Sequence, residues 1–448
     1  MRIAIVGGGI SGLVAAYRLR QSLGNSADLL LIDERDRLGG ILRTKDLDGE
    51  PVDLGAEAFV GRRPEIPALM RELGIEDQLV YPAGKRPLVW SGGIGHRLPE
   101  RTLMGIPADP ESVAGLVDDE TLARVSAEPT RPLVWERGSD VSVGALVAER
   151  FGEQVVRRSV DPLLGGVYAG TADSIGVRAA LPTLAAALDG GAGSLTEAVR
   201  ATLPPPSATP VFGGIRDGYQ VLLDALRAAA DVKVETGTAA TRLTRTANGW
   251  QVDPIGAVDA VVLATPAPVT ATLLRDVAPA ASEIAAAIRL ASSAVVAMTL
   301  PKETDLPDNS GILVATGEPL RAKAFTLSSR KWPHLAARGV ALVRASFGRF
   351  GDDSLLDWQD AALVRAAVED LTAVTGADIR PITTVVQRWR GGLPQYAPGH
   401  ARLIAELRSA TADLDGLALA GAYLGGVGVP ACAASGTAAA ARITARLT

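Results

Sequence analysis

The chain has 448 residues, 47% hydrophobic and 21% charged, with a formal net charge of −5. That length exceeds one ordinary core, so two or three domains are expected, and so small a charge offers no basic face to nucleic acid. A single cysteine, Cys432, excludes an internal disulfide and a Cys-x-x-Cys redox pair, and three scattered histidines (His96, His334, His400) lack ligand spacing, so no protein-built metal site is expected.

The first twenty residues, "MRIAIVGGGISGLVAAYRLR", read as a buried strand (Ile3–Val6), a glycine turn and an Ala-rich helix. The chain opens directly on a strand pattern, without room for a signal peptide, so a cytoplasmic location is expected. Gly7, Gly9 and Gly12 make a G-x-G-x-x-G spacing: a tight turn, close backbone approach to a pyrophosphate, and close packing of helix on strand. Gly8, Ile10 and Ser11 complete the turn, whose helix start would present N–H groups to phosphates. A second strand, "DLLLID", ends in Asp33, where a carboxylate would accept the hydroxyls of an adenosine ribose. Glu34 either shares that task or is its solvated neighbour. Dinucleotide binding follows from this context.

Next come "DERDRLGGILRT", with a second glycine pair (Gly39, Gly40) and Ile41, and "VDLGAEAFVGRRPE". This order of motifs resembles the flavoprotein amine oxidase superfamily. The resemblance implies FAD, a loop at Gly40 and Ile41 crossing over the cofactor, and flavin-contacting positions at Gly55, Ala56, Glu57 and Ala58. Glu57 and Arg62 read equally as a surface pair. Between about 98 and 182 the pattern turns helical and contains "FGEQVVRRSVDPLLGGVYAGTADSIGVRAALPTL". That run is similar to the porphyrinogen oxidase family, whose glycines here border the substrate cavity. Gly165 and Gly166 permit close backbone approach, either to a flat macrocycle, with Gly166 as the substrate contact, or within a helix-to-helix turn. "GSLTEAVRATLPPPSATPVF" reads as a surface loop near the substrate entrance or a plain linker, and "VFGGIRDGYQVLLDALRAA" leads back into the flavin domain.

"DVKVETGTAATRLTRTANGWQVD" alternates as antiparallel strands broken at Asn248-Gly249, and "AVDAVVLATPAP" supplies a buried strand, Ala260–Leu263. Ala240 matches a position whose backbone meets the adenine, or is a plain strand residue. Leu417–Ala441, "LALAGAYLGGVGVPACAASGTAAAA", has no charge and the roughly 20-residue length of a membrane span. Gly421, Gly425, Gly426, Gly428 and Pro430 would break such a span, so it reads as a strand, a buried loop and a small-residue helix starting near Pro430. The resemblance, which also covers "WRGGLPQYAPGH", places Val427, Gly428 and Val429 against the pyrimidine end of the flavin. Trp389 either touches the flavin or packs in a core. Cys432 is a packing residue, and Ala431 stands where the family has Asp.

The expected fold is α/β: a discontinuous FAD-binding Rossmann-like domain (1–85, 212–275 and 408–448), a mixed-sheet substrate-binding domain (86–97, 183–211 and 276–407) and a helical insertion (98–182). The resemblance implies FAD-dependent oxidation of coproporphyrinogen III to coproporphyrin III, with hydride passing from a methylene bridge to flavin N5 and dioxygen giving hydrogen peroxide. Protoporphyrinogen IX is the alternative substrate. Another flavin amine oxidase or a carotenoid desaturase would lack "DPLLGGVYAG", and a non-catalytic flavin- or porphyrin-binding module is a third reading. With no Ser–His, Cys–His or paired-carboxylate constellation, no catalytic side chain is expected and the flavin carries the chemistry. The resemblance aligns "GKRPLVWSG" with a segment whose arginine, here Arg86, would grip a propionate bidentately; the other reading is a solvated surface arginine, and Arg43 is a further candidate nearer the cofactor. Ferrochelatase is an expected transient partner. The modest apolar face of "RTLMGIPADPESVAGLV" allows peripheral membrane contact at most.

Overall fold

A computed structural model describes residues 1–205 and 210–447. The chain folds as two compact units, one from Met1–Tyr81, Thr209–Arg289 and Arg402–Thr448, the other from Pro82–Ala208 and Leu290–Ala401.

The first unit is built on a five-stranded sheet in the order Lys233–Thr236, Asp28–Asp33, Arg2–Val6, Ala260–Leu263, Leu417–Leu419. Every pairing is parallel, with Ile3 opposite both Leu29 and Ala260 and Val262 opposite Ala418. The three central strands have all-apolar interiors (Ile3–Val6, Leu29–Ile32, Ala260–Leu263) because both sheet faces are covered. Ile3, Ile5, Leu29, Leu31 and Val262 enter one core, and Ala4, Val6, Leu30, Ile32 and Val261 enter the other. On the first face lie the helices Ile10–Leu23, Tyr219–Ala230 and Val429–Leu447. The uncharged stretch Leu417–Ala441 is thus a strand, a loop and most of a helix, and no helix among the described residues is long and apolar enough to cross a membrane.

The antiparallel set is smaller than the alternation suggested. Arg242–Thr246 pairs with Gly249–Asp253, which pairs with Gly256–Val258, whereas Lys233–Thr236 leaves this group for the parallel sheet. Gly237, at φ +69°, ends that strand, and its N–H and that of Thr238 are tied back to the carbonyls of Arg35 and Asp33.

The second unit holds a seven-stranded sheet ordered Thr383–Pro394, Leu290–Pro301, Val340–Phe347, Ala324–Thr326, Gly311–Val314, Leu88–Ser91, Ile94–Arg97. All pairings are antiparallel except Gly311–Val314 with Leu88–Ser91. Alternation sends Ala294, Val296, Met298, Val343, Ala345 and Phe325 to one face, which is covered by Leu363, Ala366, Ala367 and Leu371 of the helix Asp360–Thr375.

Three local expectations change. The stretch 98–182 starts with a ribbon, Thr102–Leu103 against Ile106–Pro107, turned at Met104 and Gly105, both with positive φ. A Cβ on Gly105 would sit 2.3 Å from the Ser159 carbonyl oxygen, so this turn is seated on the helical region it precedes. Within 101–117, Ile106, Val113, Leu116 and Val117 are buried, while Leu103 and Met104 are partly exposed. The segment Gly193–Phe212 is no plain loop. Ser194 caps the helix Leu195–Thr202 by accepting from the Glu197 N–H, and Leu195, Ala198 and Val199 are buried. Its remainder includes 206–209, outside the described residues. Gly165 and Gly166 lie inside the helix Asp161–Tyr168, and the helix ends beyond them at Ala169, at φ +51°.

Glu128 and Arg150 form a buried ion pair in this unit, with side-chain exposures of 0% and 2%. The carboxylate also accepts the N–H groups of Leu195 (2.8 Å) and Thr196 (3.1 Å), at the start of the helix Ser194 caps. Arg150 reaches the carbonyls of Glu128, Arg131 and Pro132 as well.

Candidate functional site

The turn after Arg2–Val6 has room only for glycine at two of its positions. Gly7 stands at φ +105°, and a Cβ there would lie 2.5 Å from the Ala264 carbonyl oxygen. A Cβ on Gly12 would lie 1.9 Å from the Gly7 carbonyl oxygen, so the helix Ile10–Leu23 rests directly on the turn. Gly9 is different. A side chain there would meet only the Gly40 Cα at 3.9 Å, so this position faces open space. Gly9 is also the helix N-cap and provides no side-chain cap, and no acidic residue occupies the first turn. The helix therefore keeps unpaired N–H groups and its positive end for an anion.

Asp33 is buried, at 8% exposure, and ends the neighbouring strand. Its Oδ2 accepts the Gly8 N–H at 2.7 Å and its Oδ1 the Arg35 N–H at 2.8 Å. Each oxygen retains a second lone pair, enough for a ribose diol. Glu34 is exposed. The second glycine loop is stitched to the first: Gly39 donates to the Gly8 carbonyl (2.8 Å), and Gly9 and Gly39 form a bridge. Arg35 and Arg37 both donate to the Gly40 carbonyl, at 2.8 and 2.7 Å, and Arg37 also bonds the carbonyls of Leu38 and Leu42. Burial lowers the Arg37 pKa, and the neighbouring Arg43 and Arg35 charges lower it further. Three guanidinium groups beside an uncapped helix start suit a diphosphate. Arg35 and Arg37 were missed because arginine is common in this chain; their place just ahead of the glycine pair was the available signal.

The C-terminal run meets the same place. Ser11 Oγ donates to the Cys432 carbonyl at 2.9 Å, joining residues 421 apart in sequence, and a Cβ on Gly436 would lie 2.3 Å from the Ser11 carbonyl oxygen. The starts of the first and last helices are thereby held together. Gly421 is tied to Ser435 Oγ (2.8 Å), which fixes the loop between strand and helix. In that loop Val427 is partly exposed, Gly428 exposed and Val429 buried at the helix start. Cys432 is buried, and burial pushes its thiol up to about 11 despite a hydrogen bond with Ser11, so it is an un-ionised packing group.

Ile41 and the segment Gly55–Ala58 are half-buried in the first unit, and Ala56 packs on its core. Arg62 is exposed and Arg43 partly buried. Ala240 lies in the connection between strands, partly buried, and is no strand residue. Trp389, Arg86 and Gly166 belong to the second unit. Trp389 is 7% exposed, opposite Ser293 on the sheet face away from the Asp360–Thr375 helix. Gly166 is exposed, with nothing within 4 Å of a would-be Cβ. Arg86 is exposed and ion-paired with Glu100, whose side chain is 71% exposed.

The first-unit residues fit a flavin dinucleotide: an open glycine cradle, an uncapped helix start, a buried carboxylate with free lone pairs, and a second helix start from the far end of the chain. The chain matches the family of flavin containing amine oxidoreductases from residue 10 to residue 444. It is 53% identical to the coproporphyrinogen III oxidase of Mycobacterium tuberculosis (strain ATCC 25618 / H37Rv), covering 96% of this chain and 94% of that protein. Identity to the coproporphyrinogen III oxidase of Bacillus subtilis (strain 168) is 30%, over 98% of this chain and 96% of the other. A crystal structure from Exiguobacterium sp. 255-15, provisionally named a protoporphyrinogen oxidase, matches with a TM-score of 0.88 at 29% identity, over 99% of this chain and 98% of that one.

Proposed function

The chain belongs to the flavin containing amine oxidoreductase family, and on that premise we propose that it oxidises coproporphyrinogen III to coproporphyrin III in haem biosynthesis, with FAD as cofactor and dioxygen as acceptor. The observation that carries this reading is 53% identity over 96% of the chain to a protein of that name. FAD supplies a hydride acceptor at N5 and passes each electron pair to dioxygen, releasing hydrogen peroxide. Removing six hydrogens from the porphyrinogen takes three such oxidations. Hydride loss from a methylene bridge leaves a cation that the adjoining pyrrole nitrogens stabilise, so the protein need only bind and orient.

In this reading Asp33 would receive the ribose hydroxyls, and the N–H groups of Ile10, Ser11 and Gly12 would face the diphosphate. Arg35 and Arg37 would hold the Gly40 loop in place. The helix start at Val429 would turn its positive end toward the pyrimidine ring and favour the reduced, negatively charged cofactor. Glu57, Ala240 and Trp389 are proposed as further cofactor contacts, and Gly166 as a place where the macrocycle approaches backbone. We place the reaction in the cytoplasm and expect product transfer by transient contact with a ferrochelatase.

Anaerobic mixing tests the reading. Coproporphyrinogen III should bleach the flavin, and admitted oxygen should restore it while porphyrin fluorescence appears. Faster bleaching by protoporphyrinogen IX would favour the alternative substrate, and bleaching by neither would end the proposal. Arg86 is proposed to exchange Glu100 for a substrate propionate, which an exposed pair worth at most about 1 kcal/mol permits. Arg86→Ala should then raise KM roughly tenfold, the effect of losing one charge-assisted hydrogen bond, with the flavin spectrum unchanged. An unaltered KM removes Arg86 from the site.

A further inference from the structure

In the second unit Lys323 and Arg349 hold no direct ion pair with a carboxylate among the described residues, although the Asp161 charge acts on Arg349. Lys323 immediately precedes the strand Ala324–Thr326, and its ammonium donates to the Gly348 carbonyl at 2.7 Å. The next residue, Arg349, donates to Thr316 Oγ1 at 2.7 Å and to the Val314 carbonyl at 3.3 Å. Thr316 Oγ1 in turn donates to Asp161 Oδ2 at 2.7 Å, and Asp161 Oδ1 accepts the Ala172 N–H at 2.7 Å. Asp161 is therefore the nearby acid, but it is reached only through Thr316 and is already engaged. Neither Lys323 nor Arg349 has an ion-pair partner among the described residues.

The environment makes this arrangement costly. Burial first, and then the neighbouring Arg349 charge, push the Lys323 ammonium down to about 7. Burial lowers Arg349 as well, against the opposing charge of Asp161. Taken as whole residues, both are of intermediate burial. Buried cations are ordinarily paired. An ammonium with three donors and one acceptor, beside a guanidinium that lacks a carboxylate, is a place built to receive an anion.

We propose that Lys323 and Arg349 form a subsite for one substrate carboxylate, supplying an ammonium and a planar guanidinium to its two oxygens. The assignment rests on the porphyrinogen reading above, which brings a tetracarboxylate to the protein. Two extra propionates distinguish coproporphyrinogen III from protoporphyrinogen IX, and an extra cationic subsite is a way to select for them.

The test titrates FAD-loaded protein with the product coproporphyrin III, reading quenching of porphyrin fluorescence, so no turnover is needed. Lys323→Met should weaken binding about 10- to 100-fold, as expected for a charge-assisted hydrogen bond, while raising Tm, because an unneutralised buried charge has been removed. Arg349→Gln and Lys323→Gln should weaken it in the same direction. The tetramethyl ester should bind the wild type poorly, and inorganic phosphate should not compete. Unchanged affinity in the Lys323 variants, or an ester that binds as tightly as the free acid, overturns the subsite while leaving the porphyrinogen reading intact. A wild type that ignores coproporphyrin III overturns both.

Discussion

Gly12→Ala is expected to yield a protein that emerges from purification colourless. The added Cβ would lie 1.9 Å from the Gly7 carbonyl oxygen and 3.3 Å from the Ala264 Cβ. The first contact is backbone, so no rotamer change relieves it. The helix Ile10–Leu23 must lift from the turn, and it carries with it Ser11, whose hydroxyl binds the Cys432 carbonyl, and the N–H groups that would face the diphosphate. Overpacking in a core usually costs about 1–3 kcal/mol. Here the displacement falls on the cradle itself, so FAD affinity should drop by at least about 100-fold. Gly339→Ala is the control, because a Cβ there meets nothing within 4 Å. Flavin content and Kd equal to wild type in Gly12→Ala would show that the cradle does not depend on this contact.

Glu128→Gln should be the most destabilising polar substitution in the second unit. Burial raises the Glu128 carboxyl, but hydrogen bonds from Thr196, Leu195 and Arg150 outweigh it and hold the group below the ordinary carboxylate range. The variant leaves Arg150, at 2% side-chain exposure, without its carboxylate. Breaking a buried pair in this way costs about 3–5 kcal/mol, which corresponds to a Tm lower by on the order of 10 °C. The pH dependence has a definite sign. A carboxyl depressed in the fold contributes stability that is complete above its unfolded value, near 4.5, and is lost as pH falls through the lower folded value. Wild type should lose stability over that acid window, and Glu128→Gln should lose less there, having less to lose. Replacing both partners by apolar residues, Glu128→Leu with Arg150→Met, should recover part of the loss. Equal Tm for wild type and Glu128→Gln would show that the pair contributes nothing net.

The parts legible in the sequence are those whose physics is local. The glycine spacing at 7, 9 and 12, the acid closing "DLLLID", and the all-apolar strands Ile3–Val6 and Ala260–Leu263 announce a parallel nucleotide-type sheet, because turn, register and burial each constrain a few adjacent residues. Leu417–Ala441 could be read against a membrane span for the same reason: its glycines and proline act within a turn or two. Long-range partners leave no such trace. Nothing about Glu128 distinguishes it until Arg150 and the helix beginning at Leu195 fold against it. Lys323 looks like any polar residue ahead of a short strand. The helix Leu195–Thr202 was hidden by the Pro-rich residues that follow it, since eight residues carry too little periodicity to outweigh them. Arg86 stood out by family resemblance, and the structure places it in an exposed pair, so its role rests on exchange with substrate.

The bond from Ser11 to Cys432 spans 421 positions, and translation makes that separation a delay. At about 5–20 residues per second, a ribosome needs roughly 20–80 s to produce the second partner after the first. Throughout that time the nascent polypeptide carries the helix start at Ser11 without the C-terminal helix to which it is bonded in the fold. Any coenzyme grip that needs both helix starts would therefore form only once nearly the whole chain has been made.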